Sequence, residues 1–126
     1  MKIKKILTMG ILCSMLVSSV KVNAKSLEES FSGDSTYDCV NYEANIDVAT
    51  YKKTTYAKTE GYYKRHYVRA YIGGSNNSAS GANADSGRKW SSGNVKATAS
   101  MKKKIKGSDA VAVRFSFPIG YAKYGQ

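Results

Sequence analysis

The sequence predicts a small all-β protein, an antiparallel meander or two sheets packed face to face, behind an N-terminal signal peptide. Three observations carry this reading. Four stretches alternate apolar and polar residues with period two, turn-forming Gly, Ser and Asn separate several of them, and no long helical period follows residue 24. A strand buried on one face and wet on the other has that period, and strands without helices pack as a meander or a sandwich.

The chain opens on a basic stretch with Lys2, Lys4 and Lys5, an apolar run from Ile6 to Val20, and Val22-Asn23-Ala24. This is the order of a secretory signal peptide with a small residue at its cleavage site. The run is shorter than the ~20 apolar residues of a spanning helix. Leu12 precedes Cys13 where a lipid-anchor site wants a small residue, so no lipid anchor is read. The expected organisation is a signal peptide at 1–24, an acidic, weakly structured segment at 25–39, and one basic β domain at 40–126. The expected location is extracellular. Cleavage leaves one small domain with a modest core.

Ser26-Leu27-Glu28-Glu29 fits a capping box and a short helical turn, which Ser32-Gly33-Asp34-Ser35 breaks. The first strand is expected from Asn41, with Tyr42, Ala44, Ile46 and Val48 on one face. Residues 52–61 are polar and rich in threonine and read as a turn ending at Gly61. The second strand is "YYKRHYVRAYIGG", 62–74: Val68, Ala70 and Ile72 face the core, while Tyr63, Arg65, Tyr67, Arg69 and Tyr71 form an outward ladder. Residues 73–87 read as a loop of Gly, Ser, Asn and Ala. Val95, Ala97, Ala99 and Met101 alternate in a third strand, a turn follows through Gly107, and Val111, Val113, Phe115 and Phe117 alternate in a fourth, ended by Pro118. The predicted core is Tyr42, Ile46, Val48, Val68, Ile72, Val95, Met101, Val111, Val113, Phe115 and Phe117.

Charge is unevenly placed. The whole chain carries +11, from 20 Lys and Arg against 9 Asp and Glu. Six acids and Lys25 alone among the bases lie in 25–47, whereas 48–126 holds fifteen bases and three acids. That asymmetry implies an anionic partner for the C-terminal part, or internal pairing of the acidic segment with the basic body. Cys39 stays after cleavage without an intramolecular partner and is expected as a buried, inert thiol, with an intermolecular bridge as the alternative.

The residue supply points away from an enzyme. His66 stands alone, no Gly-x-Ser-x-Gly elbow is present, and a His66–Asp85–Ser triad or a Cys39–His66 pair has no supporting spacing. No zinc, calcium or phosphate-loop spacing occurs. No catalytic residue, cofactor or metal is therefore expected. The basic elements are more informative. Lys102, Lys103, Lys104 and Lys106 cluster where a hairpin tip is expected, and Arg88, Lys89 and Trp90 end the glycine-rich stretch. Cations beside aromatic rings suit anionic lipid headgroups or cell-wall polymers. Nucleic acid would also suit them by counterion release, but secretion makes it the poorer partner. The Tyr63–Tyr71 ladder is either a binding surface or the wet side of a sheet on which arginines stack on tyrosines.

With "YYKRHYVRAYIGG", the Gly/Ser/Asn stretch and "SGRKWSSGNVKATAS", residues 61–101 resemble the lactococcin 972-like bacteriocins. The resemblance implies a small secreted antiparallel β protein with a histidine-bearing strand, a polar loop, and a Trp followed by a Lys-Ala strand. It further implies inhibition of related bacteria through the cell-wall precursor at the septum. This chain lacks the family's Gly- and Trp-rich opening, and it adds an acidic N-terminal segment and a further apolar stretch at 110–117. The leading expectation is a secreted, cationic, non-enzymatic protein that binds anionic bacterial envelope components. An extracellular adhesion or matrix module and a small secreted hydrolase are the alternatives.

Overall fold

The computed structural model of the protein describes residues 24–107 and 110–126, so residues 1–23, which hold nearly all of the expected signal peptide, lie outside it. A four-residue helix α1 (Leu27–Ser30) leads into β1 (Phe31–Glu43), β2 (Val48–Thr59), β3 (His66–Ser75), β4 (Ser78–Asp85), β5 (Lys89–Ser91) and β6 (Val95–Lys106). A second short helix α2 (Ala110–Ser116) and β7 (Gly120–Gly125) follow. The class is all-β, with two antiparallel sheets.

The first sheet has the order β1-β2-β6. The second is built around β3. Tyr67 pairs with both Trp90 and Gly125, and Tyr71 with both Asp85 and Tyr121, so β5 and β4 share one edge of β3 and β7 takes the other. The capping box forms as the sequence predicts: Glu29 N–H donates to Ser26 Oγ and Ser26 N–H to Glu29 Oε1, both at 3.1 Å.

The two sheets share one core. Ala57, Ala97 and Ala99 of the first meet Val68, Ala70 and Ile72 of the second, with Phe31, Ala84, Val95, Met101 and Ala122 packed at the margin. Alanines at these positions let the sheets approach closely, because little side-chain volume separates the backbones. The strands of the first sheet are longer than the second sheet covers. Beyond that cover, Val113 of α2 and Phe117 just after it pack with Ile105, Tyr37 and Tyr51.

Several expectations are corrected by the fold. The first strand begins at Phe31, inside the segment read as weakly structured, and β1 pairs with β2 along its whole length apart from a bulge at Cys39/Asn41. It ends at Glu43, because Ala44–Asp47 is a turn with Asp47 at φ 51, a conformation short polar side chains tolerate. Tyr42 and Ile46 are therefore exposed rather than in the core. Residues 52–59, read as a turn, form the central strand of the first sheet. Their inward side chains are Lys53, Thr55, Ala57 and Thr59, and the strand period was hidden by threonine and alanine standing where larger apolar residues were sought. The stretch 73–87 is the β3/β4 hairpin rather than a loop.

The expected fourth strand is α2. Val113 and Phe117 are four apart, so they satisfy a helical face as well as a strand face, and Phe115 is left 86% exposed. Ser116 Oγ donates to Ala112 O at 2.7 Å, and Pro118 stops the helix. Of the other predicted core residues, Val68, Ile72, Val113 and Phe117 are buried, and Val48, Val95 and Met101 are half-buried. The side chain of Val111 lies outside the described residues.

Cys39 is exposed on the edge strand, not buried. A maleimide should accordingly label Cys39 in the native protein without denaturant, as peptide mapping can show. Labelling that waits for unfolding would contradict its placement.

Candidate functional site

The outer face of the second sheet gathers most of the residues that the Tyr/Arg ladder singled out. Side chains alternate along β3, so Val68, Ala70 and Ile72 enter the core and Tyr67, Arg69 and Tyr71 take the other side. Pairing then places Trp90 beside Tyr67, Lys123 beside Arg69 and Tyr121 beside Tyr71. The rings of Tyr67 and Trp90 lie 5.0 Å apart, and those of Tyr71 and Tyr121 lie 5.2 Å apart.

Each of these four rings carries a cation. Arg65 sits 4.7 Å from the Trp90 ring centre and Arg88 sits 4.6 Å from that of Tyr67. Arg69 is 5.9 Å from Tyr71, and Lys123 is 5.8 Å from Tyr121. Cations at such distances are attracted by the ring quadrupole. A shallow pocket of about 270 Å³ opens among Tyr67, Arg69, Tyr71, Arg88, Lys123 and Asn76.

One cation is neutralised. Arg69 donates to Asp85 through two nitrogens, at 2.9 and 2.5 Å, and Asp85 also accepts from Gly87 N–H at 2.9 Å. The bond from Arg69 holds the Asp85 carboxyl below its ordinary pKa against the opposing effect of burial, and Asp85 in turn raises that of Arg69. Burial pushes the Tyr71 phenol up, with Tyr121 adding to the shift. Tyr71 is 2% exposed and donates to Ser75 O at 2.6 Å, so it is a structural member of the face and does not point to water as expected. Arg65, Arg88 and Lys123 have no carboxylate within ion-pair distance among the described residues.

The depressed carboxyl fixes a pH dependence. Asp85 is ionised in the folded state at pH values where it would already be protonated in the unfolded chain. Its contribution is fully present above the unfolded value near ~4 and is lost as pH falls through the lower folded value. Asp85→Asn should therefore lower thermal stability at pH 7 and have a shrinking effect below about pH 4. An unchanged difference between pH 7 and pH 3 would contradict the role of this ion pair.

The other candidates separate. Tyr63 is exposed in the irregular stretch before β3. Lys89 lies opposite Val68, on the other side of its strand from Trp90. Lys102, Lys103, Lys104 and Lys106 lie within β6 and not at a hairpin tip. Lys102, Lys104 and Lys106 project with Lys52 and Thr50 on the outer face of the first sheet, on the opposite side of the molecule, and Lys104 lies 3.9 Å from Glu43. Lys103 projects to the inner side and donates to Ser116 O at 2.6 Å.

His66 is fully buried. Its Nε2 shares a hydrogen bond with Thr59 Oγ1 at 2.6 Å, its Nδ1 lies 2.7 Å from Lys64 O, and its ring meets Tyr62 edge-on. Nε2 thus ties β3 to β2, and Nδ1 fixes the chain just before β3. Among the described residues no three His, Cys, Asp or Glu side chains converge to hold a metal ion.

Tyr121 and Lys123 of β7 are the members of the face that sequence reasoning missed. Their signal was the alternation in Gly120-Tyr121-Ala122-Lys123-Tyr124, which repeats on a smaller scale the pattern of the ladder. No protein-family model, curated protein or solved structure matches this chain.

Proposed function

We propose that the protein is a secreted, non-enzymatic binder of anionic components of the bacterial envelope, and that the aromatic and cationic face of the second sheet is its contact surface. A bacteriocin-like antibacterial role is the most specific form of this reading. The observation that carries it is the set of four cations held on four rings of one sheet face, three of them without a carboxylate partner among the described residues. A cation already pinned on a ring loses little rotamer freedom when it meets an anion, so the face is preorganised. The same geometry disfavours a glycan-binding matrix module, because cations lie over the ring surfaces on which a neutral sugar would stack.

Binding of the purified protein to vesicles rich in anionic lipid, and to wall preparations rich in anionic polymer, should be saturable and should weaken as salt rises from low concentration. Exposed charges are screened over ~8 Å at physiological ionic strength. Equal binding to neutral vesicles, or salt-insensitive binding, would overturn the proposal. Growth inhibition of related strains by the same preparation supports the antibacterial form, and its absence alongside anion-dependent binding removes that form while leaving the envelope contact.

A further inference from the structure

A second pocket, of about 670 Å³, opens where α2 closes against the first sheet, and none of the side chains of the aromatic and cationic face line it. Its walls are Tyr37, Phe115, Phe117 and Ile119, with Arg114 at the edge and Lys53 at the base. Phe115 and Ile119 are 86% and 66% exposed, so the pocket is open to solvent on an apolar rim. Lys53, by contrast, is only 3% exposed.

Lys53 stands inside because β2 turns every second side chain inward, and Lys53 is on the same side as Thr55 and Ala57. Its ammonium donates to Pro118 O at 2.6 Å and lies 5.3 Å from the centre of the Tyr37 ring. Tyr37 in turn packs on Phe117, with ring centres 5.8 Å apart. No carboxylate lies within ion-pair distance of Lys53 among the described residues. An ammonium has three donors, and the described residues accept from one of them. A buried charge is expensive unless it is paired and hydrogen-bonded.

We propose that this pocket binds a medium-chain fatty acid, with the carboxylate at Lys53 and the acyl chain running out along Phe117, Ile119 and Phe115. The carboxylate supplies the charge and the acceptors that Lys53 can still use. Ser35 Oγ, 2.7 Å from Thr55 Oγ1, can accept from that threonine and donate to the ligand. The apolar rim of Phe115 and Ile119 takes the chain. The volume is that of a small-molecule site. This site is independent of the proposed envelope-binding face, since it uses none of its residues.

Calorimetric titration of the purified protein with dodecanoate below its micelle concentration tests the assignment. Dodecanoate should bind saturably, while acetate, which lacks the chain, and dodecanol, which lacks the charge, should bind at least about tenfold more weakly. Lys53→Met, which keeps the apolar stem, should reduce dodecanoate affinity by a similar factor and leave dodecanol unaffected. Phe115→Asp alters an exposed position and should weaken dodecanoate without disturbing the fold, so the test survives even where Lys53→Met does not fold. No saturable dodecanoate binding by the parent, acetate equal to dodecanoate, or Phe115→Asp equal to the parent would each overturn the proposal.

Discussion

Gly120→Val should destabilise the protein by about 3 kcal/mol, the upper end of what overpacking a filled site costs. A Cβ at Gly120 would lie 2.1 Å from Thr55 Oγ1, 2.7 Å from Ser35 Oγ and 3.1 Å from Thr55 Cβ. Neither obstacle is a loose side-chain end. Thr55 is 1% exposed, and the two hydroxyls are tied to each other at 2.7 Å. Relief requires β7 to move away from the first sheet, and β7 carries Tyr121 and Lys123. For a domain of this size the melting temperature should fall by roughly 10–20 °C. Gly93→Val is the control, because a Cβ there meets only Ser91 Oγ at 3.9 Å. Thermal unfolding by circular dichroism checks both, and a Gly120→Val melt within a few degrees of the parent would show that the sheets do not approach this closely.

The second large effect is on binding. Replacing Arg65, Arg88 and Lys123 together with glutamine should weaken binding to anionic vesicles by about 3 kcal/mol at low salt, since each basic residue near such a surface contributes roughly 1 kcal/mol. That is a loss of about a hundredfold. The fold should persist. Arg65 and Arg88 are exposed, and the ion pair that braces the face, Arg69 with Asp85, is untouched. Trp90→Ala in the same assay should produce a smaller loss by freeing Arg65 from the ring that positions it. A triple variant that binds like the parent would remove this face from consideration.

Much of this architecture was legible where one face of a strand is plainly apolar. Val68, Ala70 and Ile72 placed β3 with the correct side inward, and that in turn placed Tyr67 and Arg69 on the candidate face. The reading failed where inward positions are polar or small. Lys53, Thr55 and Thr59 point into the protein, yet a buried lysine held by a carbonyl and a ring leaves no mark on a hydrophobicity pattern. It failed again at Val113 and Phe117, whose spacing of four serves a helix and a strand equally; packing on Ile105 decided between them. The contribution of β7 was hidden for a third reason. Tyr121 and Lys123 join the face only through long-range pairing with β3, which no local pattern specifies.

Two cationic surfaces compete for the binding role, and they point in opposite directions, so a flat anionic surface can engage only one at a time. Lys102, Lys104 and Lys106 carry the same formal charge as Arg65, Arg88 and Lys123. No aromatic ring holds those three lysines among the described residues, and Lys104 faces Glu43. Vesicle binding by two charge-matched variants, one with glutamine at 65, 88 and 123 and the other with glutamine at 102, 104 and 106, separates the surfaces directly. The predicted result is a loss of about a hundredfold for the first and less than about tenfold for the second, at equal net charge and low salt. Equal losses would mean that net charge alone governs binding. A larger loss in the second variant would place the contact on the first sheet and contradict the assignment of binding to the aromatic and cationic face.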